Sequence, residues 1–248
     1  MAKERHLKNA PITEALIDFR VQLPKDFQVQ KFSELKERLR QRYPKVEEQR
    51  LFQVHHEIKS GQTVLHPTKD MGIQGYFFKT EDERNIAQFR IDGFTLNRLK
   101  PYTNWRNLAT EARSLWDIYT DTASPETITR LAVRYINQLK FPLPFDDFSD
   151  YLVAPPNLPP DLPQEVAGFL SRVNVYDSES NIAANITQAL EGITSPDFVI
   201  IILDIDVSTQ RDLPINDEET WGVLEKLHEM KNRIFSSSLT EKAVRLFE

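Results

Sequence analysis

A chain of 248 residues with 15 Phe, 7 Tyr and 3 Trp carries enough apolar material for one large core or two packed halves, which excludes global disorder. It contains no cysteine, so disulfide staples, thiolate metal sites and thiol nucleophiles are excluded, and a reducing, cytoplasmic setting is expected. The formal net charge of −6 argues against a surface that tracks a phosphate backbone and leaves room only for a local basic groove.

The N-terminal stretch MAKERHLKNAPITEAL lacks the apolar run of a secretory signal, and the longest apolar run is Phe198 to Leu203, so no membrane crossing is expected. Glu14 to Val21 alternates around Ala15, Ile17, Phe19 and Val21 and reads as a strand covered on one face. From Phe27 to Tyr43 the apolar residues fall at helical spacing, and Pro44 stops the helix. Val46 to Lys59, Gly72 to Thr80 and Arg84 to Leu99 read as strands, separated by Ser60-Gly61 and Asp82-Glu83 turns that imply antiparallel hairpins. Asn104 caps a predicted helix to about Thr120, buried through Trp105, Leu108, Ala112, Leu115, Trp116 and Tyr119. Thr127 to Phe141 is a long strand that completes a β-α-β-β-β-α-β block over residues 1–142.

The chain changes character after Pro142, where proline-rich segments favour extended geometry and cannot donate ladder hydrogen bonds. Residues 143–163 are therefore expected to be a connector. Over residues 164–248, three strands are predicted at Gly168 to Tyr176, Asn181 to Leu190 and Asp197 to Val207, followed by helices opened by capping boxes at Asn216/Glu219 and Ser238/Glu241. The expected fold is α+β: largely antiparallel sheet with helices packed on one face, in two sheet-plus-helix blocks joined by the proline-rich strap and packed as one unit.

The sharpest local signal for chemistry is the apolar strand Val199 to Leu203 running into Asp204-Ile205-Asp206. An Asp-x-Asp at a strand end is how phosphohydrolases of the haloacid dehalogenase type hold Mg²⁺ and supply a nucleophile and an acid. The basic and acidic motifs that such chemistry needs further along do not follow, and a restriction-nuclease reading lacks its lysine. His55-His56 points its two rings to opposite faces of a strand, and His6, His66 and His228 have no partner at ligand spacing except Glu225 and Glu229 beside His228. No GxGxxG, GxxxxGK, GxSxG or HExxH pattern occurs, so the usual phosphate loops, serine elbows and zincin sites are excluded.

Cations recur on the strands. Arg98 and Lys100, and separately Arg130, Arg134 and Lys140, sit at even spacings, so each set lines one face of its strand and would form an anion-binding concavity if the strands are neighbours. The competing reading is a solvated face of cross-strand ion pairs.

Pro11-Ile-Thr-Glu14-Ala15, the stretch FTLNRLKPYTNW from Phe94 to Trp105, Arg134-Tyr135-Ile136-Asn137, and the helix carrying Trp221, His228 and Phe235 with the following Leu239-Thr240 together resemble an uncharacterised, sporadically distributed bacterial family of about this length. That resemblance brings no established activity, and its patchy distribution is associated with mobile or conflict-linked genes. Two arrangements of its polar residues stay open: a structural network within the sheet, or a recognition pocket. In the pocket reading Arg98 and Arg134 grip an anion, Tyr102 and Tyr135 stack, and Asn137 orients.

The leading expectation is a non-enzymatic binding or protein-interaction module, a component or neutralising partner in a bacterial defence or toxin system, with a protein partner, an anionic ligand, no nucleic acid and no cofactor. The alternative is a metal-assisted enzyme or sensor acting on a phosphorylated small molecule or nucleic-acid end, with Asp204 and Asp206 as ligands to Mg²⁺.

Overall fold

The computed structural model describes residues 7–53, 56–59, 62–65, 68–190, 195–215 and 218–248. The strands are β1 (Ile12–Gln22), β2 (Lys45–Gln53), β3 (His56–Lys59), β4 (Gln62–Leu65), β5 (Lys69–Lys79), β6 (Asn85–Arg90), β7 (Gly93–Leu99), β8 (Thr127–Pro142), β9 (Phe169–Asp177), β10 (Ile182–Leu190) and β11 (Phe198–Thr209). The helices are α1 (Leu35–Leu39), α2 (Trp105–Ala123), α3 (Glu218–Ser238) and α4 (Glu241–Val244). Nine strands form one sheet in the order β2-β5-β6-β7-β1-β8-β11-β10-β9, every neighbouring pair antiparallel, while β3 and β4 form a separate hairpin. No helix among the described residues is long and apolar enough to cross a membrane.

Apart from the extra edge strand β2, the order is symmetric about the seam between β1 and β8. Moving outward, one flank is β7, β6, β5 and the other is β11, β10, β9. Each half is thus a seam strand, a connection, a three-strand meander and a helix: β1 with β5-β6-β7-α2, and β8 with β9-β10-β11-α3. The first connection carries α1 and β2. The second is the proline-rich segment, whose regular structure among the described residues is a 3-10 turn at Phe148–Asp150.

Directly opposed residues in an antiparallel ladder share a face, so the register assigns faces without ambiguity. Ile17 lies opposite Leu96 and Val133, and Val133 opposite Val207; all four are fully buried beneath the helices. Phe19 stacks on Trp116 at 4.2 Å, and Phe94, Phe89 and Tyr119 continue this aromatic layer. Alternate residues, among them Asp18, Arg130, Arg134, Asp204 and Asp206, occupy the face without helices.

Four predicted elements differ. Val46 to Lys59 is two strands, β2 in the large sheet and β3 in the separate hairpin. Phe27 to Tyr43 is not one helix but a 3-10 turn, Val29–Glu34, running into the short α1. Its stripe was read correctly, since Phe32, Leu35, Leu39 and Tyr43 are buried, but Phe32 sits between Phe89 and Tyr119 and the tighter winding delivers it there. Arg84 to Leu99 is two strands, because the chain reverses at Ile91 and Asp92 and enters β7 through Gly93. Gly93 has φ +149°, and any Cβ there would collide with the Phe19 carbonyl oxygen, so β7 approaches β1 only with glycine at this point. The last helix is capped by Thr240, whose hydroxyl accepts the Ala243 N–H, whereas Ser238 ends α3. The His55 and His56 side chains, His6, His66, the Ser60-Gly61 turn and Asn216 of the first capping box lie outside the described residues.

Candidate binding cleft and the ionic face opposite

β7 ends at Leu99, and a loop with a cis Lys100–Pro101 peptide leads to Asn104, whose side-chain oxygen accepts the Asn107 N–H at 2.8 Å and caps α2. This places Tyr102 and Trp105 at the helix entrance. The Tyr102 and Tyr135 hydroxyls are 3.0 Å apart, and the Asn137 amide donates to the Leu203 carbonyl at 2.9 Å. α3 runs antiparallel to α2, for Trp105 meets Glu225 and His228 whereas Arg113 meets Glu218. The Trp105 indole N–H donates to the Glu225 carboxylate, and its ring lies on the His228 imidazole with centroids 4.1 Å apart. One turn on, the Lys231 ammonium sits 3.9 Å from the Tyr135 ring centroid, a cation–π contact, and donates to Asn232.

Tyr102, Trp105, Asn137, His228 and Lys231 line a cleft of about 1640 Å³ between the segment 7–12, the loop 100–104 with the first turn of α2, and the far end of α3 with α4. Its charged lining is one-sided: Lys8, Arg84, Lys100, Arg106 and Lys231 face it, against Glu241. At the opposite end of the helix pair the equivalent space is filled by Phe19, Trp116 and Trp221 in ring contact. The two ends of one helix pair therefore differ in kind, packed and apolar at one, open and polar at the other.

Burial raises the Tyr102 phenol to about 12, the Tyr135 hydrogen bond countering it in part. Tyr135 is pushed well above the usual phenol range by burial and then by Tyr102. Burial and the Lys231 cation lower His228 to about 3, so its imidazole is neutral at physiological pH. These three groups therefore hold fixed protonation states near neutrality.

The structure divides the residues singled out in the sequence. Tyr102 and Asn137 line the cleft, and Tyr135 is buried behind Tyr102, whose hydroxyl it meets. Arg98 shares their face of the sheet but its guanidinium donates to the Pro101 carbonyl at 3.0 Å and to Asn85 at 3.1 Å, bracing the loop. Arg134 lies on the other face. Arg98 pairs with Ala15 and Arg134 with the next residue, Leu16, so the two guanidinium groups cannot grip one anion, and that part of the pocket reading is corrected. Trp105, His228 and Lys231 escaped the sequence reading as site residues; the spacing of three between His228 and Lys231, which puts both on one helical face, was the available signal.

The face without helices is an ionic network. Asp18, 4% exposed, accepts from Thr95 at 2.6 Å and from Arg20, Arg90 and Arg130. Burial would raise its carboxyl, but Thr95 and then the three arginines outweigh it, and the net effect is a lowered pKa. Arg130 reaches on to both oxygens of Asp206 at 2.9 and 3.0 Å, and Arg134 holds both oxygens of Asp204 at 2.8 and 2.6 Å. Burial still raises Asp206 overall, with Arg130 opposing. Asp204 and Asp206, expected as metal ligands, thus present carboxylates already engaged by guanidinium forks, and no group of three His, Asp or Glu among the described residues is disposed to hold a metal ion.

Comparisons with protein-family models, curated proteins and solved structures return no match. The reading of the site rests on its geometry.

Proposed function

We propose that the protein is a non-enzymatic binding module that takes an acidic segment of a protein partner in the cleft between α2 and α3. The observation that carries this reading is the excess of cations around a large cleft on a chain of net charge −6. A volume of about 1640 Å³ exceeds the roughly 300–1,000 Å³ of small-molecule sites and suits a stretch of chain. Trp105 and Tyr102 supply rigid aromatic anchors with polar edges, the residue types that dominate recognition of protein surfaces. A toxin or defence-system protein presenting such a segment is the partner class we put forward.

The test is affinity capture with the full chain from its native cells, in parallel with Lys100→Glu/Arg106→Glu. A stoichiometric partner that is retained by the wild type, lost on charge reversal and displaced by a polyglutamate peptide supports the proposal. A partner that is indifferent to charge reversal, or displacement by inorganic phosphate or ATP but not by the peptide, overturns it.

A further inference from the structure

The nine-stranded sheet has two edges, β2 and β9, and they are built differently. β2 carries register shifts between Gln49 and Arg50 and between Arg50 and Phe52, and it is studded with ion pairs from Glu47 to Lys79 and from Arg50 to Asp70. Bulges and charges of this kind stop another sheet from adding to an edge. β9 has no bulge, and its charges are Arg172 and Asp177. It pairs with β10 residue for residue from Phe169 to Asp177 without a shift, and its sequence FLSRVNVYD contains no proline, glycine or lysine. Among the described residues, no backbone hydrogen bond reaches its outer side. Leu170, Val173 and Tyr176 are 72%, 51% and 65% exposed.

We propose that β9 pairs antiparallel with β9 of a second copy of this chain, across a twofold axis at Val173, so that one sheet runs through both molecules. This register opposes the three exposed apolar residues of the strand to one another, while Phe169 meets Asp177 at its ends. Val173 meets Val173, each Leu170 meets Tyr176, each Arg172 meets Asn174, and Ser171 meets Val175. Apolar side chains thereby face one another on both sides of the sheet. Moving the axis to Arg172 sets two like charges opposite each other and Leu170 against Asn174, and moving it to Asn174 sets Tyr176 against Arg172 and turns Leu170 out against Ser178; both lose the Leu170–Tyr176 pair. The contact is narrow, a single strand from each molecule, so the dimer is of the weak, exchanging kind. It is independent of the cleft, which lies against α2, α3 and α4.

Sedimentation velocity on the full chain from low to high micromolar concentration reads this directly, the expected result being a reversible monomer–dimer equilibrium. Val173→Lys, which sets two cations face to face on the axis, should give a monomer with an unchanged melting profile. The chain has no cysteine, so single thiols can be placed without background. Opposed Cβ atoms in an antiparallel pair stand about 5 Å apart, close to the span of a disulfide, so Val173→Cys should cross-link to a dimer under mild oxidation. Leu170→Cys, about 20 Å from its own mate in this register, should stay monomeric, and Leu170→Cys/Tyr176→Cys should cross-link. A monomer throughout the concentration range, a dimer that survives Val173→Lys, or equal cross-linking of Val173→Cys and Leu170→Cys would overturn the proposal.

Discussion

The indole of Trp105 lies flat on the imidazole of His228, 4.1 Å between centroids and 3° from parallel. That contact ties the first turn of α2 to the middle of α3 and buries a titratable ring beside a lysine. Since His228 is lowered to about 3 from its ordinary 6.5, the unfolded chain takes up the proton more readily than the folded one. The stability that neutral His228 contributes is fully present above about pH 6.5 and is lost as the pH falls toward 3. Urea unfolding between pH 4 and 7 should therefore show a slope approaching about 1.4 kcal/mol per pH unit from this one site, and His228→Gln should flatten it. An identical slope in the variant would show that other groups set the acid response.

Lys231→Met keeps the aliphatic stem over Tyr135 and removes the charge. Losing a desolvated cation–π contact should cost about 1–2 kcal/mol in thermal or urea melts. Because the lysine helps to hold His228 low, the His228 titration followed by NMR should move upward in this variant. Capture of an acidic partner should weaken at the same time.

Asp18→Asn leaves Arg20, Arg90 and Arg130 around a neutral amide in a buried site. Breaking a buried ion cluster from one side costs about 3–5 kcal/mol, so the urea midpoint should fall sharply. The Asp18 carboxyl is lowered, so its contribution is present above the ordinary carboxylate range and is lost as the pH drops through its folded value. The acid limb of the stability profile should accordingly shrink in Asp18→Asn, measured below pH 5.

For Asp204 and Arg134 a double-mutant cycle with Asp204→Asn and Arg134→Gln should return a coupling of about 1 kcal/mol, the modest value of a pair whose arginine is partly exposed. Mg²⁺ or Mn²⁺ titrated by calorimetry should give no heat that Asp204→Asn/Asp206→Asn removes. A metal-dependent rise in melting temperature, lost in that double variant, would restore the metal-assisted reading.

The strands and helices were legible where one period dominated. Ala15, Ile17, Phe19 and Val21 announced β1, and Asn104 announced α2, whose cap it forms. Arg98 and Arg134 were misjudged as a pair because even spacing fixes a face within a strand but not which face that is in the sheet. Only the register, Ala15 with Arg98 and Leu16 with Arg134, separates them. Asp18 drew no attention, being one acid among apolar neighbours, and its three arginines come from Arg20 on the same strand, Arg90 on β6 and Arg130 on β8. The cleft was half legible: Tyr102, Tyr135 and Asn137 were named, but the residues that α3 brings, His228 and Lys231, needed the antiparallel packing of two helices far apart in sequence.

The seam between β1 and β8 has a consequence for synthesis. As the chain emerges, β1 can pair with β7 and be covered by α2, since all three belong to the first half. Its other side, from Ile12 to Gln22, waits for β8, and β8 in turn stays open until β11 arrives near the end. Each intermediate length of nascent chain therefore presents a long unsatisfied ladder, the form most prone to capture by a neighbouring chain. The order of translation, rather than the finished fold, sets when this protein is most vulnerable, and its passage from ribosome to completed sheet is where a holding chaperone would act.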